Sequence, residues 1–138
     1  MIAVDTSALL AILFREPERD QLQAILDQAD SAIISTGTLI EARMVARGRA
    51  GDAMVGLLDG LIAQAQIAVQ PVTEDQAELA HAAFVQYGKG GGHPAQLNFG
   101  DLFSYALAKA RGIPLLFKGN DFAATDIEPA GPGLNGQV

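Results

Sequence analysis

The chain has no cysteine. That removes disulfides, thiolate zinc sites and cysteine nucleophiles together, and is compatible with a reducing compartment. Cations are scarce: 9 Lys and Arg stand against 16 Asp and Glu, for a formal charge of −7. Proteins that coat nucleic acid present a broad basic surface, so that class is excluded. An enzyme that works on nucleic acid from a local basic rim is not. No apolar run approaches the ~20 residues that span a bilayer. The opening MIAVDTS has no basic segment and meets Asp5 almost at once, unlike a signal peptide. A phosphate-cradling Gly-x-x-x-x-Gly-Lys-Ser/Thr loop is missing, and no Ser/His/Asp order suggests acyl transfer. His81 and His93 have no metal-ligand spacing. These absences predict a soluble cytoplasmic protein with no membrane partner.

What is present fits one domain. The 138 residues suffice for a single core, expected over residues 1–129, with a Gly/Pro-rich tail at 130–138 expected to be disordered. Short apolar runs at Met1 to Val4, Ser31 to Ile34, Ile67 to Val72 and Pro114 to Phe117 read as buried strands. Asp126 to Pro129 is a candidate edge strand. Helical spacing fills the gaps. Ala8 to Phe14 is apolar all round, so it is buried on every side or covered by another chain. Pro17 to Ala29 turns Leu22, Ile25, Leu26 and Ala29 inward. Ser35, Thr36 and Thr38 offer caps for a helix running to Arg49, and Thr6 or Ser7 for the first helix. Asp52 to Ala65 turns Val55, Leu58, Leu61 and Ile62 inward. Thr73 with Gln76 forms a capping-box pattern, and Phe99 to Arg111 is the last helix. Between them GKGGGHPAQ, residues 88–96, is a glycine-rich loop. Strands alternating with helices predict βαβ crossovers: a three-layer α/β/α fold around a mostly parallel sheet of four or five strands.

In such a sheet, four acids reach one edge. Asp5 ends the first strand, and Asp121 follows the fourth. Asp101 opens the helix leading into that fourth strand. Glu41 lies on a largely uncharged stripe of its helix, away from Arg43 and Arg47, and is expected to point inward. Taken alone, each has a structural explanation: Asp5 as a cap, Glu41 as a solvated charge, Asp101 as a helix-dipole partner, Asp121 as part of an Asn-Asp turn. Together they form a set of hard oxygen donors of the kind that magnesium and manganese take. Among the few basic residues, Arg43, Lys89 and Lys118 are candidates to rim a cleft.

The segments IAVDTSALLAIL, STGTLIEARMV, LNFGDLFSYALAKARGIPLLFKGNDF and TDIEPA carry these acids in the order Asp, Glu, Asp, Asp. In this the chain resembles the PIN domain, and within it the VapC-type ribonuclease toxins of toxin–antitoxin pairs. The resemblance covers Met1 to about Pro129. It implies a Mg²⁺- or Mn²⁺-dependent endoribonuclease acting on RNA, a homodimer, and inhibition by a cognate VapB-type antitoxin that inserts a segment into the acidic pocket. Carried over residue by residue, Asp5 and Asp101 resemble the direct metal ligands. Glu41 and Asp121 resemble supporting or water-mediated ones. Thr6 or Ser7 is then a polar helper, and Asn120 an orienting partner. The rival expectation is a non-catalytic, receiver-like metal-binding domain using Lys118; against it, the adjacent early acid pair of such domains is missing.

Overall fold

The computed structural model describes residues 1–131. Four strands, β1 (Ile2–Val4), β2 (Ala32–Ser35), β3 (Ile67–Gln70) and β4 (Leu115–Leu116), alternate with six helices. These are α1 (Thr6–Leu13), α2 (Arg19–Gln28), α3 (Thr36–Ala50), α4 (Asp52–Gln64), α5 (Glu74–Tyr87) and α6 (Phe99–Arg111). The strands lie in the order β3-β2-β1-β4, all parallel. The chain thus winds outward from β1 through β2 to β3, then returns to the other side of β1. That reversal places a crevice at the carboxyl ends of β1 and β4, where open α/β sheets bind their ligands.

Alternation along the strands sorts the core into two halves. Ile2, Val4, Ala32, Ile34 and Leu116 face α1 to α4. Ala3, Ile33, Leu115 and Phe117 face α5 and α6. The expected α/β/α layering results, with four strands. The all-apolar α1 is covered by its own chain: Ala8, Leu9, Leu10, Ala11 and Ile12 are buried among the helices of the first half.

Several boundaries differ from expectation. Asp126 to Pro129 does not form a strand; Pro129 makes one isolated bridge to Leu115, with Leu115 N donating to Glu128 O at 2.9 Å. One bridge without a second register pair gives no ladder. The cap of α1 is Asp5 itself, whose carboxylate accepts from Ser7 N, rather than Thr6 or Ser7. Pro17 sits in the turn before α2, which starts at Arg19 after Arg15 takes φ +56°. Thr73 caps α5 by accepting from Gln76 N at 3.1 Å, but among the described residues Gln76 Oε1 is buried without a partner, so only half of the capping box forms. Of the tail, 132–138 lies outside the described residues.

One close approach ties α3 to α6. A Cβ at Gly37 would overlap the Phe103 ring, meeting its Cδ1 and Cγ. Gly37→Ala is therefore expected to destabilise by roughly 1–3 kcal/mol, the usual range for overpacking, measured by urea unfolding. An unchanged midpoint would mean that Phe103 swings aside freely.

Candidate active site

The topology carries the four acids to the carboxyl edge for separate reasons. Asp5 follows β1 directly. Helix α6 runs back toward the start of β4, so its N-terminus, with Asp101, opens at the same edge. Helix α3 leaves β2 there and presents Glu41 in its second turn. Asp121 lies in the turn after β4.

Asp5 is 3 % exposed. Its Oδ2 accepts from Ser7 N at 3.0 Å and Ser7 Oγ at 2.7 Å, and its Oδ1 accepts from Ser104 Oγ at 2.5 Å. Burial raises its pKa, against the pull of the Ser104 and Ser7 donors. Glu41 is half-buried and accepts from Thr6 Oγ1 at 2.7 Å. Burial raises its pKa, and the charge on Asp5 adds to the rise. Asp101 closes a capping box with Asn98: Asn98 N donates to Asp101 Oδ2 at 3.0 Å, and Asp101 N donates to Asn98 Oδ1 at 2.9 Å. Burial, then the neighbouring Asp5 and Asp121, push its pKa to about 8 against the Asn98 amide. Charge contacts thus link Glu41 to Asp5, Asp5 to Asp101 and Asp101 to Asp121. Among the described residues, no three acidic or histidine side chains already converge as a closed metal cage.

No cation answers this charge: among the described residues, no ion pair reaches any of the four acids. Arg43 is committed to Asp59 on α4 at 3.0 Å. Lys118 Nζ turns to Glu16 at 2.5 Å and Glu18 at 3.5 Å, and only its backbone serves the site, donating to Ser7 Oγ at 2.9 Å. The receiver-like expectation loses its lysine by the same contacts. The raised pKa values of Asp5, Glu41 and Asp101, with no cation paired to them among the described residues, favour either shared protons or a positive ion. The donor set is all oxygen, which fits a hard divalent cation and not a thiophilic one.

The supporting residues are partly those expected. Thr6 holds Glu41 and Ser7 holds Asp5. Asn120 is exposed, and among the described residues its side chain makes no hydrogen bond; its carbonyl closes a turn by accepting from Ala123 N at 3.1 Å. Asn98 orients an acid instead. Ser104 and Thr38, both buried and bonded to each other at 3.1 Å, were missed by sequence reasoning. A signal existed: Ser104 lies three residues after Asp101 and Thr38 three before Glu41, the spacing that stacks side chains on one helix face. Asn98 likewise stands three before Asp101, a capping-box offset.

Gly100 is the other unforeseen residue. A Cβ there would overlap Glu41 Oε2, so glycine is what lets α3 bring its carboxylate against the start of α6. The obstructed atom ends a flexible side chain, so Gly100→Ala displaces Glu41 rather than a helix. Stability is expected to hold or rise by up to about 1 kcal/mol from helix propensity, while Glu41 is pushed from its place against the start of α6 and its pKa falls back toward the ordinary value. Thermal melts and an NMR titration of the Glu41 carboxyl on one preparation check both halves. An unchanged Glu41 titration would mean that its carboxylate does not depend on the gap at Gly100.

A doubly wound parallel sheet with an acid-lined crevice at its switch point is the class that this fold and edge define. The chain belongs to the PIN domain family, whose model matches residues 2–128, and within it to the VapC branch. It is 46% identical over 127 residues to ribonuclease VapC28 of Mycobacterium tuberculosis, covering 92% of this chain and 96% of that one. To ribonuclease VapC42 of the same species it is 42% identical over 127 residues, covering 92% and 97%. Among solved structures, the fold resembles M. tuberculosis VapC20, described as a sarcin–ricin loop cleaving toxin, with TM-score 0.73, 21% identity, and coverage of 94% of this chain and 100% of that one. It also resembles a chain of a toxin–antitoxin complex from Klebsiella pneumoniae, with TM-score 0.69, 19% identity, and coverage of 95% and 98%. At those identities the structures speak to fold alone. Among the described residues, no helix is long and apolar enough to cross a membrane.

Proposed function

We propose that this protein is a Mg²⁺- or Mn²⁺-dependent endoribonuclease, the toxin of a toxin–antitoxin pair. The observation that carries the reading is the run of neighbouring carboxylates, Glu41, Asp5, Asp101 and Asp121, which no ion pair reaches among the described residues. Asp5 and Asp101 would hold the ion directly, with Glu41 and Asp121 in support, directly or through water. When bound, such an ion makes hydroxide available from water at neutral pH and offsets charge developing on the phosphate.

The protein's own residues do the rest. The donors from Ser7 and Ser104 oppose the rise in pKa that burial imposes on Asp5. The Asn98 capping box fixes the Asp101 carboxylate at the head of α6, and Thr6 holds Glu41 beside Asp5. No side chain need act as a covalent nucleophile. The acidic edge would repel an RNA phosphate by itself, so substrate approach depends on the neutralised site.

The antitoxin belongs to the reading because relatives bear the VapC name and similar folds occur in toxin–antitoxin complexes. Exposed apolar side chains support a face covered by protein: Ile40 is 59 % and Phe99 77 % exposed, and each lies within two residues of a site acid. Self-association as a homodimer and residence in the cytoplasm complete the proposal. Incubation of purified protein with single-stranded RNA in Mn²⁺, Mg²⁺ or EDTA tests it. Cleavage that needs added metal supports the reading; intact RNA under every metal, or cleavage indifferent to EDTA, rules it out.

A further inference from the structure

The two oxygens of Asp5 are not equivalent. Oδ2 accepts two hydrogen bonds, from Ser7 N at 3.0 Å and Ser7 Oγ at 2.7 Å. A carboxylate oxygen has two lone pairs, so those donors fill it. Oδ1 accepts from one side chain, Ser104 Oγ, at 2.5 Å. Among the described residues no second hydrogen bond reaches Oδ1, so one lone pair stays open there.

The proton order follows. An Asp5 that holds a cation is ionised and can only accept, so in that state the single hydroxyl proton of Ser104 lies toward Oδ1. The hydroxyl of Thr38, 3.1 Å from Ser104 Oγ, must then donate to Ser104. The result is a directed chain, Thr38 to Ser104 to Asp5, in which each donor polarises the next. Thr38 is 0 % and Ser104 1 % exposed, so bulk water does not take over either role. The chain also joins the helices of the other acids: Ser104 lies one turn after Asp101 on α6, and Thr38 one turn before Glu41 on α3.

We propose that Ser104, oriented by Thr38, is a positioning residue that reserves Asp5 Oδ1 as a single-point ligand for the divalent cation. This rests on the metal-dependent reading above. Bidentate chelation by Asp5 would need an open lone pair on Oδ2, which the two Ser7 donors occupy. One oxygen held in one direction suits an ion that demands near-octahedral geometry and keeps several waters.

The test is Mn²⁺ binding to EDTA-stripped protein, followed by electron paramagnetic resonance of free Mn²⁺, without RNA. Ser104→Ala is expected to weaken the dissociation constant by about 10-fold or more, as for lost outer-shell partners of metal ligands. Thr38→Val, nearly isosteric, is expected to weaken it by roughly 3-fold, since it removes one bond further out. Raising Mn²⁺ to saturation should bring RNA cleavage by both variants back to within about 3-fold of wild type; a merely structural defect would not recover in this way. Wild-type affinity in both variants overturns the inference while leaving the metal-dependent reading intact. Absence of Mn²⁺ binding by the wild type itself overturns that reading and this inference with it. If Ser104→Ala does not fold, Thr38→Val carries the test with the same outcomes.

Discussion

Asp5→Asn and Asp101→Asn are each expected to lower RNA cleavage by at least about 100-fold, the upper end of what losing an outer-shell partner alone costs. Both replacements conserve shape. At Asp101 the amide oxygen can still accept from Asn98 N, so the start of α6 keeps its box. At Asp5 the helix cap on Ser7 N also survives through an amide oxygen. What each variant loses is one negative charge and one hard anionic oxygen, which the proposed ion needs. Initial rates on single-stranded RNA at saturating Mn²⁺, with circular dichroism to verify folding, provide the measurement. Rates within about 3-fold of wild type, well below that outer-shell cost, would show that the chemistry lies elsewhere on the molecule.

The second large effect is on stability in the absence of metal. In the fold the Asp101 pKa is about 8, against 3.8 for the ordinary group. A carboxyl with a raised pKa keeps its proton in the native state while the unfolded chain has released it. Over that interval the native state binds more protons, so stability falls as pH rises. The loss begins near pH 4 and is complete above about pH 8. Asp5 and Glu41 shift in the same direction and steepen it. Allowing for solvent access, Asp101 alone is expected to account for on the order of 2 kcal/mol, or a drop of roughly 6–10 °C in Tm. Asp101→Asn should flatten the profile and melt above wild type at pH 8. Mn²⁺ at 100 times its dissociation constant should return about 2.7 kcal/mol to the wild type and little to the variant. Melts of EDTA-treated protein from pH 4 to 9 read this directly. A wild-type Tm that is flat or rising through that window would mean that the acids do not burden one another as described.

Much of this was legible beforehand because it depends on local chemistry. The alternation of apolar strands with helical spacing is a property of neighbouring residues, and it named the layers, the parallel sheet and most helices within a residue or two. The acids stood out because each sits in an apolar stretch: Asp5 after IAV, Asp101 before LFSYAL, Glu41 on an uncharged stripe. The short strand at Asp126 to Pro129 was expected and did not form, since a strand exists only when a partner keeps register for more than one residue. Thr6 and Ser7 were expected to cap α1, but Asp5 does so itself, combining cap and site in one carboxylate.

The sequence by itself determined that the four acids share one edge, because strand ends and helix starts dictate that much. Only the tertiary structure decided how they are held. Leu97 to Phe122 supplies half the acids, yet what orients Asp101 is the local Asn98 box. What orients Asp5 is local Ser7 on one oxygen and, on the other, Ser104, far along the chain and backed by Thr38 on α3. The approach of Glu41 depends on an absent side chain, at Gly100. Lone-pair occupancy, steric gaps and mutual charge are properties of distances between segments, and those distances exist only once β1, α3 and α6 have packed.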